Sequence, residues 1–237
     1  FLYRIHEEPS EEKIADFTKF IHNFGYVLKG KEIHPKELQQ LTKDIKGTNE
    51  EQVISTLLLR SLRKARYSEE PDIHFGLAAK YYSHFTAPIR RYPDLVIHRI
   101  IKDHLKGKLT PNKLRMLEER LPEIADHTSM TERRAEEAER EVEDLKKAQY
   151  MSSRIGEKYE GIISSITNFG IFVQLENTIE GLVHFSNMLD DYYYFDEENY
   201  YIIGERSKKI YRIGDVVNIE VIGADPLRRN IDFALID

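Results

Sequence analysis

The sequence predicts an α+β protein with two domains, a mostly helical domain over residues 1–154 and a small all-β barrel over residues 155–237. The main observation is a change of periodicity. Apolar residues recur about every 3.6 positions along the first domain, which is helical spacing, and they occupy alternate positions, as in strands, beyond Arg154. The length also favours two domains, because 237 residues exceed the size of a typical small domain.

The helices of the first domain are predicted from their start and stop residues. Ser10 is suited to cap the first helix and Gly25 to end it, and the second helix runs from Pro35 to Gly47. A short strand or extended segment is expected before them, over residues 1–8. The remaining helices are predicted over residues 53–67, from Pro93 to Gly107, from Thr110 to Pro122, and from Ser129 to Met151.

Proline and charged residues set the bounds of the later helices. Pro122 is expected to end one helix, because proline lacks an N–H and clashes with the preceding turn. The sequence Ser129-Met130-Thr131-Glu132 has the spacing of a capping box that starts the next helix. Arg63 and Arg66 fall in the last turns of the helix over residues 53–67, where basic side chains suit the helix macrodipole.

The second domain consists of short alternating segments separated by turn residues. An acidic, tyrosine-rich stretch from Asn187 to Gly204 is predicted as a long loop between them. Several short strands with regular turn signals are typical of a small barrel of the OB type. The predicted strands cover residues 159–166, 170–175, 179–184, 210–213, 216–222 and 231–235.

The composition limits the classes of partner. The chain has a net charge of −6, which argues weakly against a general nucleic-acid binder. Residues 156–237 hold 7 Lys and Arg against 15 Asp and Glu, so any nucleic acid has to be met by local basic patches. The absence of cysteine excludes disulfides and thiolate metal sites and fits a reducing, cytoplasmic location. No run of residues reaches the length of a membrane span, so no membrane partner is expected.

The most unusual stretch is HFGLAAKYYSHFTAPIRRYPDLVIHR, residues 74–99. Its order indicates an aromatic segment, a turn at Ala87-Pro88, the paired Arg90 and Arg91, and a helix that begins at Pro93. Two guanidinium groups at a helix entry suit a phosphate, because the arginine fork matches phosphate oxygens and helix N-termini favour anions. The alternative is a surface turn whose arginines pair with nearby carboxylates.

This stretch resembles the signature of the ribonuclease R and ribonuclease II family. The preceding segment LLLRSLRKARY and the later segment MTERRAEEAEREVEDLKKAQYM resemble helices of the same catalytic domain. The second domain, GEKYEGIISSITNFGIFVQLENTIEGLVHFSNM followed by GDVVNIEVIGAD, is similar to the RNA-binding OB module first described in ribosomal protein S-one. The variant RRYPDL and the acidic loop favour the ribonuclease R branch of the family.

The resemblance implies processive 3′-to-5′ hydrolysis of single-stranded RNA to nucleoside 5′-monophosphates, with Mg²⁺ as the usual metal. It also raises the ribosome and the RNA-decay machinery as partners. The family places its metal-binding aspartates in the amino-terminal half of the catalytic domain, and no segment of this sequence matches them. The chain is therefore expected to be a carboxyl-terminal fragment, the distal half of the catalytic domain plus one OB module, with no metal ligands and no hydrolytic activity of its own.

Four residues of the first domain match family positions near the substrate. Arg90 is expected to reach the scissile phosphate, and Glu139 to lie near the 3′-terminal nucleotide, with Glu136 as the substitute if the alignment slips by one turn. Arg91 either contacts the RNA backbone or pairs with a carboxylate. Tyr82 either stacks on a base or packs under the turn.

Four residues of the second domain match positions that face RNA in this type of module. They are Phe169, Phe172, His184 and Arg229. The alternative for the two phenylalanines is burial inside the barrel. Because this domain is strongly acidic, its own RNA binding is expected to be weak and sensitive to salt.

Two other functions remain open at this point. The chain could belong to an RNA-binding protein that has lost its catalytic aspartates. It could also be a structural helical domain joined to an OB adaptor that binds protein.

Overall fold

The computed structural model describes residues 1–28, 33–48, 50–197 and 199–236. Within them the helices are α1 (Glu11–His22), α2 (Pro35–Asp44), α3 (Glu51–Ser61), α4 (Tyr92–Leu105) and α5 (Pro111–Ser152). The strands are β1 (Tyr3–Ile5), β2 (Arg66–Ser68), β3 (Lys158–Thr167), β4 (Gly170–Leu175), β5 (Glu180–His184), β6 (Tyr193–Asp196), β7 (Tyr201–Gly204), β8 (Ile210–Arg212), β9 (Val216–Asp225) and β10 (Asn230–Ile236). Helices dominate the first part of the chain and strands the last, which confirms the predicted α+β class.

The described residues form two compact units. Unit 1 comprises Phe1–Phe17, Leu28–Leu41 and Leu59–Glu137, and unit 2 comprises Thr18–Val27, Thr42–Leu58 and Ala138–Asp237, in each case without the residues outside the described ranges. Helices α1, α2, α3 and α5 each contribute residues to both units. The predicted domain boundary at residues 154 and 155 stays a prediction.

Unit 1 is built around a small two-stranded sheet. Strand β1 pairs antiparallel with β2, with Tyr3 opposite Ser68 and Ile5 opposite Arg66. Leu2, just before β1, packs with apolar side chains of β2, α4 and α5, so this core joins segments that are far apart in the sequence. The buried members of this core are Leu2, Tyr67, Val96, Ile97, Leu121 and Ala125.

The predicted helix over residues 53–67 is too long. Helix α3 ends at Ser61, and residues 66–68 form strand β2 instead. Arg63 and Arg66 therefore do not stabilise a helix end, since both donate to the carboxylate of Glu7, at 2.7 and 2.8 Å. Burial of Tyr67 in the core and its pairing with β1 outweigh the helical tendency of the segment.

The prediction of separate helices on either side of Pro122 is wrong, because α5 is continuous over 42 residues. Leu121 and Ala125, on both sides of the proline, are buried in the core of unit 1. That burial offsets the cost of a proline inside a helix, which is about 3 kcal/mol. The predicted capping residue Ser129 instead lies within α5, donates to the carbonyl of Ala125 at 2.7 Å, and accepts the Tyr67 N–H at 2.9 Å.

Unit 2 contains a closed five-stranded sheet. The strand order is β10-β5-β4-β3-β9, and β9 pairs with β10 to close the ring. The pairing of β10 with β5 is parallel, whereas the other pairings are antiparallel. The enclosed side chains alternate along each strand, as the period-2 pattern predicts. Fully buried members are Ile163, Ile171, Val173, Val183, Ile219, Val221 and Phe233.

The stretch predicted as an acidic loop contains two strands, which corrects the prediction. Strands β6 and β7 pair with each other, and β7 pairs with β8, to form a three-stranded sheet. Its residues Tyr193, Ile202 and Tyr211 are buried, so one face of this sheet has its own apolar packing. Glu198, which belongs to the same acidic stretch, lies outside the described residues.

Asp191, one of the acidic residues of this stretch, has a structural role. Its carboxylate accepts the backbone N–H groups of Tyr192, Arg206 and Ser207, at 2.7, 3.0 and 2.6 Å. Hydrogen bonds from Ser207 are the main cause that lowers the pKa of Asp191. The carboxylate therefore holds the connection between β7 and β8 in place.

Candidate functional site

The turn formed by residues 87–91, called here the signature turn, is held at both ends by one buried carboxylate. Asp94, in the first turn of α4, is fully buried. Its Oδ2 accepts the backbone N–H of Ala87 at 2.8 Å and the Arg91 guanidinium at 2.9 and 3.2 Å. Backbone bonds from Arg90 and Arg91 to the Ala87 carbonyl close the turn. The predicted order of turn, paired arginines and helix is confirmed.

The two arginines of the turn differ in what they contact. The Arg91 guanidinium is paired with Asp94, so the pairing alternative is present in the structure. Arg90 is exposed, and among the described residues its guanidinium has no hydrogen bond or ion pair. Its neighbour Ile89 is fully exposed as well. The turn therefore has a fixed backbone and presents the Arg90 guanidinium to the solvent, where an anion can bind it.

Tyr82 lies among histidines beneath this turn. The ring is half-buried and meets the rings of His74 and His84 edge-on, at centroid distances of 5.1 and 5.8 Å. Its backbone carbonyl accepts the Arg4 N–H at 2.8 Å. Packing contacts are thus present for Tyr82, whereas a stacked base stays a prediction.

Three histidines, His6, His74 and His84, lie close together in a row of ring contacts that includes Tyr82. His6 Nδ1 accepts the Gly76 N–H at 3.1 Å, so the ring proton is on Nε2, which donates to the Arg63 carbonyl at 2.6 Å. Burial, followed by the neighbouring His6, lowers the pKa of His74. Burial, followed by Arg91 and Arg4, lowers the pKa of His84. Sequence reasoning missed His6, because an isolated β-bridge between residues far apart in the sequence brings it to His74.

Glu139 lies on α5 in the part of the helix that belongs to unit 2, whereas Arg90 belongs to unit 1. Glu139 is exposed, and within the described ranges it has no hydrogen bond or ion pair. The substitute Glu136 is exposed as well. Both carboxylates are therefore available to a ligand, and the choice between them stays a prediction.

The predicted RNA-facing residues of unit 2 lie on the outside of the closed sheet. Phe169, in the turn between β3 and β4, keeps 43% of its surface exposed. Its ring is nearly parallel to His184, at 6.4 Å and 23°, and meets Phe172 edge-on at 6.2 Å. His184 is exposed and Phe172 is half-buried. Burial of both phenylalanines inside the sheet, the alternative considered from the sequence, is not what the structure shows.

Phe169, Phe172 and Arg229 line one groove of about 480 Å³, called here the aromatic groove. Arg229 lies in the left-handed region of backbone conformation, with φ of +59°, and is exposed. Its guanidinium donates to Glu141 of α5 at 3.0 Å. The other lining residues are Asp144, Lys147, Gln174, Thr178, Glu180, Gly181, Leu182, Asn230, Ile231 and Asp232.

The contribution of α5 to this groove had no signal in the sequence. Asp144 and Lys147 belong to a helix that is charged along most of its surface, so nothing in the pattern distinguishes them from solvated residues. Only the tertiary structure places them opposite Phe169 and Phe172.

Within the described ranges, no three His, Asp or Glu side chains come together as a metal site requires. The helices of the same ranges include none that is long and apolar enough to cross a membrane.

Comparison with known proteins agrees with this arrangement. The model of the RNB domain matches residues 1–107, and the model of the S1 RNA binding domain matches residues 152–236. Ribonuclease R 1 of Lactococcus lactis is 51% identical over 98% of the chain. The chain belongs to the ribonuclease R family. It spans 29% of the length of that relative.

Solved structures extend the likeness to the fold. The apo form of Mycoplasma genitalium RNase R superposes on the whole chain with a TM-score of 0.89 at 31% identity, and the chain covers 38% of that protein. The same RNase R has been solved in complex with ribose-methylated single-stranded RNA. Yeast Ssd1, a pseudonuclease, matches 85% of the chain with a TM-score of 0.66 at 27% identity, and the chain covers 26% of it. This fold therefore occurs in a pseudonuclease as well as in RNase R.

Proposed function

We propose that this chain is part of a processive 3′-to-5′ exoribonuclease that hydrolyses single-stranded RNA to nucleoside 5′-monophosphates. The observation that carries the proposal is the uncommitted Arg90 guanidinium on a turn fixed by a buried carboxylate. Supporting this, a ribonuclease R with the same fold has been solved with single-stranded RNA.

Arg90 supplies electrostatic stabilisation in this proposal. Hydrolysis of a phosphodiester gathers negative charge on the non-bridging phosphate oxygens, and a fixed guanidinium stabilises that charge. Because Asp94 already holds the turn, little reorganisation is needed when the phosphate arrives. Glu139 accepts a hydrogen bond from a ribose hydroxyl of the terminal nucleotide, which would favour RNA over DNA. Arg91 and Tyr82 contact the RNA backbone and a base as secondary interactions.

The closed sheet of unit 2 is, in this proposal, an OB-type barrel that holds the incoming RNA strand. Phe169, Phe172 and His184 offer ring faces and edges to bases, and Arg229 binds a phosphate. Stacking of a base on an aromatic side chain contributes about 1–3 kcal/mol and does not require a particular base. The exposed position of these rings supports the role.

We propose Mg²⁺ as the metal of the full-length enzyme only. The described side chains do not form a site that would fit the ion, so no step is routed through it here. When bound elsewhere, Mg²⁺ would activate water and neutralise phosphate charge. We therefore expect the 237-residue chain alone to release no nucleotides from a 5′-labelled single-stranded RNA in the presence of Mg²⁺. Metal-dependent shortening of that RNA would overturn this part of the proposal.

The test of the activity replaces Arg90 in the full-length protein. Arg90→Ala is expected to lower kcat by about 10²–10³-fold, the typical cost of one transition-state donor. Arg90→Lys should recover part of the rate, because a lysine keeps the charge but not the guanidinium fork. Unchanged kcat in Arg90→Ala would refute the catalytic role of the residue.

A second candidate is a non-catalytic RNA-binding protein, which the likeness to the pseudonuclease Ssd1 supports. RNA binding without hydrolysis by the full-length protein would favour it. Association with ribosomes or with RNA-decay proteins and a cytoplasmic location remain predictions, to be checked by co-purification and fractionation.

A further inference from the structure

Helix α5 contributes a polar wall to the aromatic groove. Asp144 and Lys147 line the groove together with Phe169, Phe172 and Arg229. Glu141 precedes Asp144 by three residues, Lys147 follows Asp144 by three, and Glu141 binds Arg229 at 3.0 Å. Residues three positions apart lie on the same side of a helix. Asp144 is therefore adjacent to both Glu141 and Lys147 on the helix surface, and the contact of Glu141 with Arg229 and the place of Asp144 and Lys147 in the groove put this surface beside the sheet.

We propose that this face of α5 is the second wall of an RNA-binding groove, in which Lys147 binds a phosphate and Glu141 competes with the RNA for Arg229. The proposal rests on the proposed RNA binding by Phe169 and Phe172 and adds the residues that regulate and complete that site. It concerns single-stranded RNA, because only unpaired bases can stack on the two rings.

The distribution of charge in the groove favours this ligand. Lys147 and Arg229 are its two cations, and both line the same space as the two phenylalanines. Grooves that bind single strands combine cationic side chains, which follow the phosphates, with aromatic rings on which bases stack. The volume of about 480 Å³ falls in the range of about 300–1,000 Å³ that is usual for ligand sites.

The carboxylates of the groove repel phosphate. Asp144, Glu180 and Asp232 line it, and unit 2 is acidic in its strand region. Phosphates are therefore excluded from most of the surface and directed to the two cations, while base amino groups can donate to the carboxylates. This arrangement shows how a strongly acidic segment can still bind RNA at one place.

The ion pair between Glu141 and Arg229 is suited to exchange. The two side chains are 52% and 43% exposed. Exposed pairs of this kind are weak, because water and salt screen them. A phosphate that enters the groove can thus replace Glu141 as the partner of Arg229, and removal of the Glu141 charge should favour binding.

The experiment is a fluorescence anisotropy titration of labelled single-stranded RNA with the 237-residue chain at several salt concentrations. Lys147→Ala is expected to weaken binding about 3- to 10-fold and to lower the slope of log K against log salt by about 0.7, the value for one phosphate contact on a single strand. Glu141→Gln is expected to strengthen binding about 2- to 5-fold.

Neighbouring residues of α5 provide matched controls. Lys146→Ala removes the same charge one position away, from an exposed lysine that bonds Gln149 and does not line the groove. Glu143→Gln does the same for an exposed carboxylate outside the groove. Circular dichroism of each variant checks that the helix content is unchanged.

Phe169→Ala distinguishes failure of the RNA site on the sheet from failure of the α5 wall. Absence of binding by the unmodified chain, or full binding by Phe169→Ala, would overturn the RNA site on the sheet and with it the α5 wall. If Phe169→Ala weakens binding while Lys147→Ala behaves like Lys146→Ala, the sheet site stands and the α5 wall is refuted. Equal effects of Glu141→Gln and Glu143→Gln would refute the competition for Arg229.

Discussion

Asp94→Ala should show how strongly one buried carboxylate holds the signature turn. The replacement leaves the partly buried Ala87 N–H without its acceptor at 2.8 Å, which costs up to about 1–3 kcal/mol. It also removes the charge-assisted bonds from Arg91, a further contribution of about 1.5–3 kcal/mol. Because the Arg91 side chain is 23% exposed, water replaces part of that second contribution. We expect a total loss of about 3 kcal/mol, at the lower end of the range for breaking a buried pair.

The measurement is equilibrium urea unfolding of the 237-residue chain, compared between the unmodified protein and four variants. Asp94→Asn keeps one acceptor oxygen and loses the charge, so it should cost about half as much as Asp94→Ala. A double-mutant cycle with Arg91→Ala should give a coupling free energy of about 1.5–3 kcal/mol. A change below about 0.5 kcal/mol in Asp94→Ala, or additive effects in the cycle, would refute the view that Asp94 supports the turn.

Two further predictions concern unit 2. A Cβ atom added at Gly181 would lie 2.5 Å from the ring of Phe233, which is fully buried, so Gly181→Ala should lower the free energy of unfolding by about 1–3 kcal/mol in thermal or urea denaturation. No loss would mean that the ring can move aside. Hydrogen bonds from Ser207 lower the pKa of Asp191 in the folded protein. Its contribution to stability is therefore complete above the unfolded value of about 3.9 and is lost as the pH falls below it. Asp191→Asn should remove that part of the acid dependence, and an unchanged pH profile of stability would contradict it.

Local pattern was sufficient for much of the fold. Gly25 and Gly47 have positive φ values, as the predicted helix stops require, and the strands of the closed sheet lie where alternation predicted them. These features depend on the conformational preference of single residues and on period, both of which are properties of a short window of sequence. The order of turn, arginines and helix at Arg90 was predictable for the same reason.

Long-range packing decided the places where prediction was wrong. Pro122 lies inside a continuous helix because Leu121 and Ala125 are buried on both sides of it. Residues 66–68 form a strand because β1 is available as a partner. The acidic stretch forms strands because Ile202 and its neighbours have an apolar face to pack on. For Pro122 and for residues 66–68 the deciding contacts are with residues far away in the sequence, whereas for the acidic stretch they are the pairings among β6, β7 and β8.

The candidate site also has features that the sequence determined and features that only the tertiary structure determined. The sequence by itself determined the family. It also identified Arg90 and Phe169 as candidate site residues and predicted the strand on which Phe172 lies. Only the tertiary structure decided that Asp94 is the partner of Arg91 and that Lys147 of α5 lines the same groove as Phe169. The sequence of a charged helix surface does not indicate what lies opposite it. Lys and Glu give the same helical sequence pattern whether they face solvent or a binding groove.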